Sequence, residues 1–401
     1  MTAIFLFHRD LRIHDNLAYN KMLQDPSVSS VVNLFCFSPD QIDPNKNEYY
    51  NPFAIEFMCE CIQDLNKQLN GMLNSVHGNE VAVIQKICKK KQIVKIYQNQ
   101  DITPYALKRS RLLEDACTAL NIQVVSVNGD YTLYPVIPKP VKLFAKYKSL
   151  VSNTEIPRPT YIQNKLPSIL IYKRGYKHKY LKNREIAVHG GRELGLARIK
   201  QLDLFKEYAV TRDQLAKTDG TTKIGAHLKF GSVSVREFYW GVVDRFGKSH
   251  GLINELVWRS YFDHLIVNFP DLLRHQVDAR KNLSLSTTFH DYKWNSDKNA
   301  FTKWSRGETG VSLVDAAMNQ MHRTGFMHNR CRMVVAMYAV RHLKLDWTQC
   351  ERHFARYLID YAPAQNVGNW SWILSYRFTL SSKSQQERFD RDGTYLKRWA
   401  K

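Results

Sequence analysis

Short apolar runs alternate with longer segments of helical periodicity over the first 130 residues. The runs AIFLF, VVNLFCF, IVKIYQN and IQVVSV are rich in β-branched and aromatic residues, which predicts buried strands. Between them, residues 54–69, 81–88 and 105–119 repeat apolar positions every three to four residues, which predicts helices. Strands that alternate with helices are typical of a parallel sheet covered on both faces. The sequence therefore predicts a doubly wound, Rossmann-like α/β domain over residues 1–130.

The pattern changes after Tyr131. As far as residue 189 the chain is irregular, with the proline-containing stretches VIPKPV and EIPRPT and the basic run YKRGYKHKYLKNR. These features predict a linker over residues 131–189. Beyond Gly190 helical periodicity dominates, which predicts an all-α domain over residues 190–401. All eight tryptophans lie in this half, beginning with Trp240. A buried aromatic cofactor or an electron path would explain that segregation.

Length and charge restrict the class of protein. A chain of 401 residues is long enough for two domains with cores of their own. With 58 basic and 37 acidic residues the formal net charge is +21, which favours a polyanionic partner, foremost nucleic acid. A general solubilising charge is the alternative. No apolar run approaches the ~18 residues that span a bilayer, and charges come too early for a secretory signal. We expect a soluble intracellular protein that does not bind membranes.

Two familiar kinds of site are missing from the sequence. The seven cysteines are scattered, and the pair Cys59 and Cys61 has no second pair or histidine cluster that would complete a zinc site. We expect reduced thiols and no bound metal. No G-x-G-x-x-G follows the first strand, so the sheet domain lacks the usual dinucleotide fingerprint. A cofactor site is therefore expected in the helical half.

Two segments near the C-terminus carry side chains that suit a flat ligand. If MHNRCRM is helical, Asn329 and Met333 lie one turn apart, and Arg332 is close to both. In IDYAPAQNVGNWSW, Trp370 and Trp372 would lie on one side of an extended chain but apart on a helix. An amide, a guanidinium, a thioether and two indoles could converge on one pocket. Ordinary core packing of the aromatic residues is the alternative.

Two further segments combine residue types that bind phosphate or bases. Thr221 and Thr222 precede a predicted helix, and Ser232 or Ser234 caps the next, as in sites that bind a pyrophosphate at free backbone N–H groups. Plain helix capping is the alternative. In NELVWRSYFDHL, Glu255, Trp258 and Arg259 share one helical face, where the first two could bind the edge and the plane of a base. A surface ion pair over a core tryptophan is the alternative.

Eight successive motifs resemble signatures of the photolyase/cryptochrome family. They are FHRDLRIHDN, NQDITPYA, GGRELGL, TTKIGAHLKFG, NELVWRSYFDHL, GETGVSLVDAAMNQM, TGFMHNRCRM and IDYAPAQNVGNWSW, and they span almost the whole chain. The chain resembles class I cyclobutane pyrimidine dimer photolyases most closely. This resemblance implies an α/β antenna domain, a linker, and a helical domain that holds one U-shaped FAD. It also implies that damaged DNA binds on a basic face above the FAD.

The resemblance assigns roles residue by residue. It implies a cofactor site formed by Tyr208, Thr221, Thr222, Lys223, Ile224, Gly225, Leu252, Arg259, Arg332, Asp360, Ala362 and Asn366. Within that site, Asn366 is similar to the residue that faces flavin N5. It implies a lesion site formed by Arg212, Glu255, Trp258, Asn329, Arg330, Met333, Trp372 and Gln385. There the two indoles stack on the dimer, Glu255 and Asn329 bond its base edges, and Arg330 contacts phosphate. The resemblance also implies an electron relay through Trp294, Trp347 and Trp370.

The implied activity is that of a deoxyribodipyrimidine photo-lyase, a carbon–carbon lyase. Light-excited reduced FAD donates one electron to a cyclobutane pyrimidine dimer in double-stranded DNA, the ring splits, and the electron returns. The residues Glu255, Asn329, Asn366 and the three relay indoles would serve this chemistry, in a monomer. NQDITPYA favours a deazaflavin or FMN antenna pigment over folate, and an empty antenna pocket is the alternative.

Four positions depart from the family pattern. Ala362 replaces an acid of the flavin loop, Gly225 replaces a serine, Leu252 an aromatic residue, and Phe326 the tryptophan before MHNR. We expect these changes to affect FAD affinity or redox tuning.

Four other functions remain open. A cryptochrome photoreceptor without repair activity would depart at several of the lesion residues. A (6-4) photolyase would carry histidines at the positions of Asn329 and Met333, and a DASH-type single-strand enzyme would carry tyrosine at Trp372. A structural DNA-binding protein would hold no flavin.

Overall fold

The computed structural model describes residues 1–161, 163–173, 175–176, 185–273, 293–375 and 380–401. Within these ranges the chain forms a parallel sheet near the N-terminus and a helical C-terminal half. No helix in the described ranges is both long and apolar enough to cross a membrane.

Five parallel strands form one sheet in the order β3-β2-β1-β4-β5. The strands are β1 Thr2–Phe7, β2 Ser30–Phe37, β3 Leu73–His77, β4 Ile93–Asn99 and β5 Gln123–Val127. The central strands β1 and β2 are almost continuously apolar and buried because helices cover both faces of the sheet. This arrangement confirms the predicted doubly wound α/β fold, whose strand order reverses between β1 and β4.

The edge strand β3 was missing from the predicted elements. Its sequence LNSVH has too little apolar character to predict a strand. Within the sheet, β3 pairs with β2, where Asn33 lies opposite Leu73. An edge strand of this kind needs little apolar surface of its own, because tertiary pairing decides its conformation.

Five helices accompany the strands of the sheet, and three of them correspond to the predicted ones. They are α1 Leu17–Leu23, α2 Pro39–Ile42, α3 Pro52–Gln68, α4 Glu80–Cys88 and α5 Pro104–Thr118. The cap of α3 also ties the two halves together. The side chain of Asn51 accepts a hydrogen bond from the Ala54 N–H and donates to the carbonyls of Ala355 and Leu358.

The remaining α-helices lie in the linker and in the helical half. These are α6 Phe144–Val151, α7 Arg192–Lys200, α8 Tyr208–Thr211, α9 Gly225–Phe230, α10 Val235–Phe246, α11 Gly251–Asn268, α12 Lys298–Arg306, α13 Ser312–Thr324, α14 Asn329–Met337, α15 Trp347–Ala355, α16 Pro363–Ser375, α17 Ser382–Phe389 and α18 Thr394–Trp399. As predicted, Ser234 caps α10, and Glu237 completes a reciprocal capping box. Packing of these helices buries one large apolar core that includes Trp304 and Trp347.

The predicted linker follows the sheet for part of its course. The backbone N–H of Ile169 bonds to the Val31 carbonyl at 2.8 Å, and that of Tyr176 bonds to the Ser75 carbonyl at 2.7 Å. The linker also contains α6, which packs against α11. Most of its basic run, at residues 177–184, lies outside the described residues.

A buried charge network joins the sheet to the helical half. After β1, Arg12 Nη2 donates to both carboxylate oxygens of Asp130 at 2.7 and 2.9 Å. From α10, Arg236 donates to Asp15 Oδ2 at 3.0 Å and to Asp130 Oδ1 at 3.2 Å. All four residues are at most 5% exposed. Burial alone would raise the pKa of Asp130, but the attraction of Arg12 and Arg236 lowers that pKa below its ordinary value.

We expect Asp130→Asn to destabilise the fold by about 3–5 kcal/mol, because the substitution leaves two buried guanidinium groups without their shared carboxylate. The pKa of Asp130 is depressed in the folded state, so its contribution is complete above the ordinary Asp pKa of about 4 and declines as the pH falls below it. Urea unfolding at pH 7 and at pH 3 measures both effects.

The exposed pair Arg158–Asp244 provides the control, with atoms 2.7 Å apart and half or more of each side chain exposed. Asp244→Asn should change the free energy of unfolding by less than about 1 kcal/mol. Equal losses in the two variants would contradict the assigned role of the buried network.

Candidate functional site

A cavity opens in the helical half, between α14, α15, α16 and the loop before α16. Eight of the residues singled out in the sequence line it: Asn329, Arg332, Met333, Asp360, Ala362, Asn366, Trp370 and Trp372. Residues predicted for the cofactor, for the lesion and for the electron relay therefore line the same cavity.

Helix α14 supplies three of these side chains because of where it begins. His328 caps the helix, and its Nδ1 accepts a hydrogen bond from the Arg330 N–H at 3.2 Å. The helix then places Asn329 and Met333 one turn apart, with Arg332 beside them, and all three line the cavity. The prediction of a helix over this segment is confirmed.

An ion pair fixes one wall of the cavity. Arg332 Nη2 lies 2.9 and 3.1 Å from the two carboxylate oxygens of Asp360, and its Nε donates to the Met327 carbonyl at 2.8 Å. Each side chain of the pair is about a quarter exposed, at 23% and 24%. Gly225 lies against the same carboxylate, since a Cβ built there would be 3.4 Å from Asp360 Oδ2. The departure at Gly225 thus leaves more room beside Asp360.

The opposite wall combines an amide with apolar groups. Asn366 on α16 donates from Nδ2 to Glu351 Oε1 at 2.8 Å. Phe354 and Trp370 form the apolar part, with ring centroids 5.2 Å apart. A flat ring with polar atoms along its edge fits such a cavity, because its plane meets carbon while its edge meets amide and charged groups. The residues present therefore fit an isoalloxazine ring.

Lys229 was not among the predicted residues but lies beside this site. Its Nζ donates to the Ile359 carbonyl at 3.1 Å. Burial lowers the pKa of Lys229 to about 7, against the opposing attraction of Asp360. An amine that titrates near neutral pH thus stands close to the Arg332–Asp360 pair.

The predicted phosphate residues Thr221 and Lys223 line a second cavity. Phe326 stands between the two cavities, with Lys223 Nζ 5.4 Å and the Arg332 guanidinium 5.7 Å from its ring. Lys223 has a left-handed backbone with φ of 52°, so the turn before α9 is strained. The smaller ring at Phe326 therefore lies where the two cavities approach each other.

Other cofactor candidates have mainly structural surroundings. Ile224 and Leu252 are buried in the helical core, and Thr222 is also buried. Arg259 Nη1 donates to the Tyr131 carbonyl at 2.6 Å and lies 3.7 Å from Asp263. None of these four residues lines either of the two cavities.

Aromatic residues gather at one side of the first cavity. Trp258 meets Trp372 edge to face, with centroids 6.2 Å apart and planes at 73°. Phe144 of α6 stacks on Trp258 at 3.5 Å with parallel planes. The two indoles thus form a corner, and the predicted linker helps to support it.

Charged residues continue this surface. Arg212 Nη1 pairs with Glu255 Oε1 at 3.1 Å, and each side chain is more than two-fifths exposed. Burial raises the pKa of Glu255, and Arg212 opposes that shift. Tyr208 lies nearby, with the Arg212 guanidinium 6.0 Å from its ring. The structure therefore places Tyr208 with the lesion candidates rather than in the first cavity.

Of two candidate DNA contacts, one is paired within the protein and the other is nearly buried. Arg330 pairs with Asp213, and its guanidinium lies 4.6 Å from the Phe389 ring. A phosphate would share Arg330 with Asp213. Gln385, the other candidate, lies on α17 and is 9% exposed.

The relay candidates differ in exposure. Trp370 and Trp347 are 2% and 1% exposed, whereas Trp294 is partly exposed. The residue after Trp294 bonds to the Lys344 carbonyl at 2.6 Å, three residues before Trp347. Because α16 is helical, Trp370 and Trp372 point apart, toward Phe354 and Trp258 respectively.

Several cavity residues escaped the sequence reasoning: Ala336, Phe354, Tyr361, Gln365, Asn369 and Ile373. Gln365 and Asn369 follow the helical spacing of α16, and that repeat could have identified them. Phe354 and Ile373 resemble ordinary core residues in sequence, so only tertiary packing identifies them.

Models of known protein families match both halves of the chain. The sequence model for DNA photolyase matches residues 3–154, and that for the FAD binding domain of DNA photolyase matches residues 252–401. The chain belongs to the photolyase/cryptochrome family. FAD is therefore the cofactor of its helical half.

Relatives within the family carry different functional names. The chain is 29% identical to a cryptochrome DASH of Gloeobacter violaceus, over 99% of this chain and 85% of the relative. It is 28% identical to a deoxyribodipyrimidine photo-lyase of Thermus thermophilus, over 100% and 92%. Both names belong to the photolyase/cryptochrome family.

Solved structures share the fold over the whole chain. An archaeal photolyase from Sulfolobus tokodaii with two FAD molecules matches with a TM-score of 0.85 and 28% identity, covering 100% of this chain and 90% of that one. A class III photolyase from Agrobacterium tumefaciens has the same TM-score at 22% identity, covering 100% and 86%, and supports the fold alone.

We expect Arg332→Met to weaken FAD binding about tenfold or more, because it releases Asp360 and the Met327 carbonyl from the cavity wall. Charged hydrogen bonds of this kind contribute roughly 1.5–3 kcal/mol. Fluorescence titration of the apoprotein with FAD measures the change. Arg245→Met, at a 3.8 Å contact with the largely exposed Asp203, is the control and should leave the Kd unchanged. An unaltered Kd for Arg332→Met would exclude this arginine from the cofactor site.

Proposed function

We propose that this protein is a deoxyribodipyrimidine photo-lyase that splits cyclobutane pyrimidine dimers in double-stranded DNA under blue light. One observation carries the proposal. Asn329 and Met333 line the same cavity as Arg332, Asp360 and Asn366, with the indole corner beside it. Such a cavity could hold a flavin ring and a flipped pyrimidine pair next to each other. Bound FAD, when reduced and excited, supplies the electron that opens the ring and takes it back.

The chain's own residues position the two reactants. Arg332 and Asp360 hold the polar edge of the flavin, and Asn366 faces the ring with an uncharged amide. Trp258 and Trp372 stack on the flipped bases. The two indoles together are large enough to exclude water from the reacting bonds. Asn329 and Glu255 bond base edges.

The proposed partner is DNA that contains pyrimidine dimers. The net charge of +21 attracts the phosphate backbone, and Arg212 and Arg330 stand beside the lesion candidates. Extrusion of the lesion costs a few kcal/mol, less than for an intact pair, because stacking and pairing are already damaged. We propose that the protein acts as a monomer.

We propose an α/β domain over residues 1–130, a linker over residues 131–189 and a helical domain over residues 190–401.

We also propose an antenna pigment of the deazaflavin or flavin type in the first domain. The second FAD of the Sulfolobus tokodaii relative supports a flavin-type pigment. In the motif NQDITPYA, Asp101 pairs with Arg9 at 2.6 Å at the carboxyl end of β4, where the sheet order reverses. This is the edge at which doubly wound sheets bind ligands.

Blue-light repair of defined oligonucleotides tests the proposed function. Prereduced protein should restore a duplex with one thymine dimer, and a dark sample should show no change. A duplex with a (6-4) lesion should remain unrepaired, because histidines are absent from positions 329 and 333. Chromatography of the products gives the result. Repair restricted to single-stranded DNA would favour a DASH-type enzyme, and no repair of any substrate would favour a photoreceptor.

We expect Trp258→Ala to weaken binding of dimer-containing duplex about tenfold or more relative to undamaged duplex, since base stacking contributes roughly 1–3 kcal/mol. Trp240→Ala is the matched control, because Trp240 lies on α10 and its Nε1 bonds to the Pro157 carbonyl at 3.0 Å. Fluorescence anisotropy with both duplexes measures the ratio. An equal loss with damaged and undamaged DNA would remove Trp258 from the lesion site.

We expect Trp370→Phe to slow photoreduction of oxidised FAD while repair by prereduced protein continues at the parent rate. Trp370 is buried beside the cavity, where it can pass an electron inward, and phenylalanine is far harder to oxidise. Absorbance at the flavin band under blue light with a thiol reductant measures photoreduction. If mutant and parent photoreduce equally, Trp370 is not part of the relay.

A further inference from the structure

Glu351 is a fully buried carboxylate behind the wall of the first cavity. It lies on α15 and is 0% exposed. It is not among the residues assigned above to the cofactor, the lesion or the electron relay. Its Oε1 accepts a hydrogen bond from Asn366 Nδ2 at 2.8 Å. It also bonds the phenol of Tyr361, where burial and then the negative charge of Glu351 raise the pKa of Tyr361 far above its ordinary value. Both partners line the cavity.

These contacts decide which atoms the wall presents. In the structure Asn366 donates its NH₂ group to a carboxylate oxygen of Glu351, which accepts the hydrogen bond. The carbonyl oxygen of the same amide is then left toward the cavity. Tyr361 likewise turns its O–H toward Glu351. The wall beside Asn366 therefore offers a hydrogen-bond acceptor rather than a donor.

The oxidation state of a flavin changes what it can offer in return. The central ring of the oxidised form presents acceptor nitrogens, and two acceptors that face each other are unfavourable. Reduction to the anionic form adds two electrons and one proton, and the proton at N5 creates an N–H donor. An acceptor wall therefore suits the reduced ring.

We propose that Glu351 is a positioning residue that orients the Asn366 amide and thereby shifts bound FAD toward its reduced state. The inference rests on the proposed placement of Asn366 against the ring. Glu351 itself touches no cofactor atom in this account and acts only through the amide.

Glu351→Asp is the main test because it keeps the charge and withdraws the carboxylate by one methylene. The hydrogen bond to Asn366 is then lost, and the amide is free to turn its NH₂ group toward the oxidised ring. We expect the ratio of reduced to oxidised FAD at a given potential to fall about tenfold, which is about 30 mV for a two-electron couple. Dithionite titration of the FAD-loaded protein with a reference dye, in the dark and without DNA, measures the midpoint potential.

A double-mutant cycle shows whether the amide transmits the effect. In an Asn366→Ala background, Glu351→Asp should leave the midpoint potential unchanged, because no amide remains to be oriented. The same shift in both backgrounds, or no shift in either, would overturn the proposal. Glu114→Gln, on the exposed face of α5, is the surface control and should not alter the potential.

A second variant covers the case in which Glu351→Asp loses FAD. Glu351→Gln keeps the shape of the side chain. Its effect on the midpoint potential through charge is the same whether or not Asn366 is present, so that effect cancels in a double-mutant cycle. If the shifts in midpoint potential of the two single variants simply add in the double variant, the proposal is equally rejected. The measurement uses neither light nor DNA, so it is independent of repair. A protein that fails to repair dimers but shows the coupling would contradict the proposed function alone.

Discussion

The buried pairing of Arg12 and Arg236 with Asp15 and Asp130 is the constraint on which the architecture depends. These four charges are removed from water where the carboxyl edge of the sheet meets α10. Charges this deeply buried are stable only in one geometry, since a lost partner leaves an uncompensated charge. The network therefore fixes how the helical half rests on the sheet, and with it the position of every helix that contributes to the cavity.

The cavity inherits its shape from this fixed arrangement. Helix α14 supplies Arg332, the loop before α16 supplies Asp360, and their ion pair closes one wall. On the other wall, α15 and α16 are joined by Glu351 and Asn366. The Arg332–Asp360 pair provides a charged edge. The hydrogen bond between Glu351 and Asn366 determines which end of the amide faces the cavity. Both use groups that are partly or fully shielded from water, where such interactions are strongest.

The positions that depart from the family pattern cluster around the same walls. Gly225 leaves space beside Asp360, Ala362 removes a carboxylate from the lining, and Phe326 separates two cavities with a ring smaller than tryptophan. With an alanine at position 362, Asp360 remains as the carboxylate of the loop before α16 that lines the cavity.

The sequence by itself determined the two halves, the helix that carries Asn329 and Met333, and the motifs of the family, because periodicity and local spacing are properties of neighbouring residues. It did not reveal β3, whose polar strand is formed by pairing with β2. Nor did it reveal that Phe144 supports Trp258, that Arg330 is held by Asp213, or that Glu351 lies behind Asn366. Such contacts join residues far apart in the chain, and only the packing of helices against each other decides them.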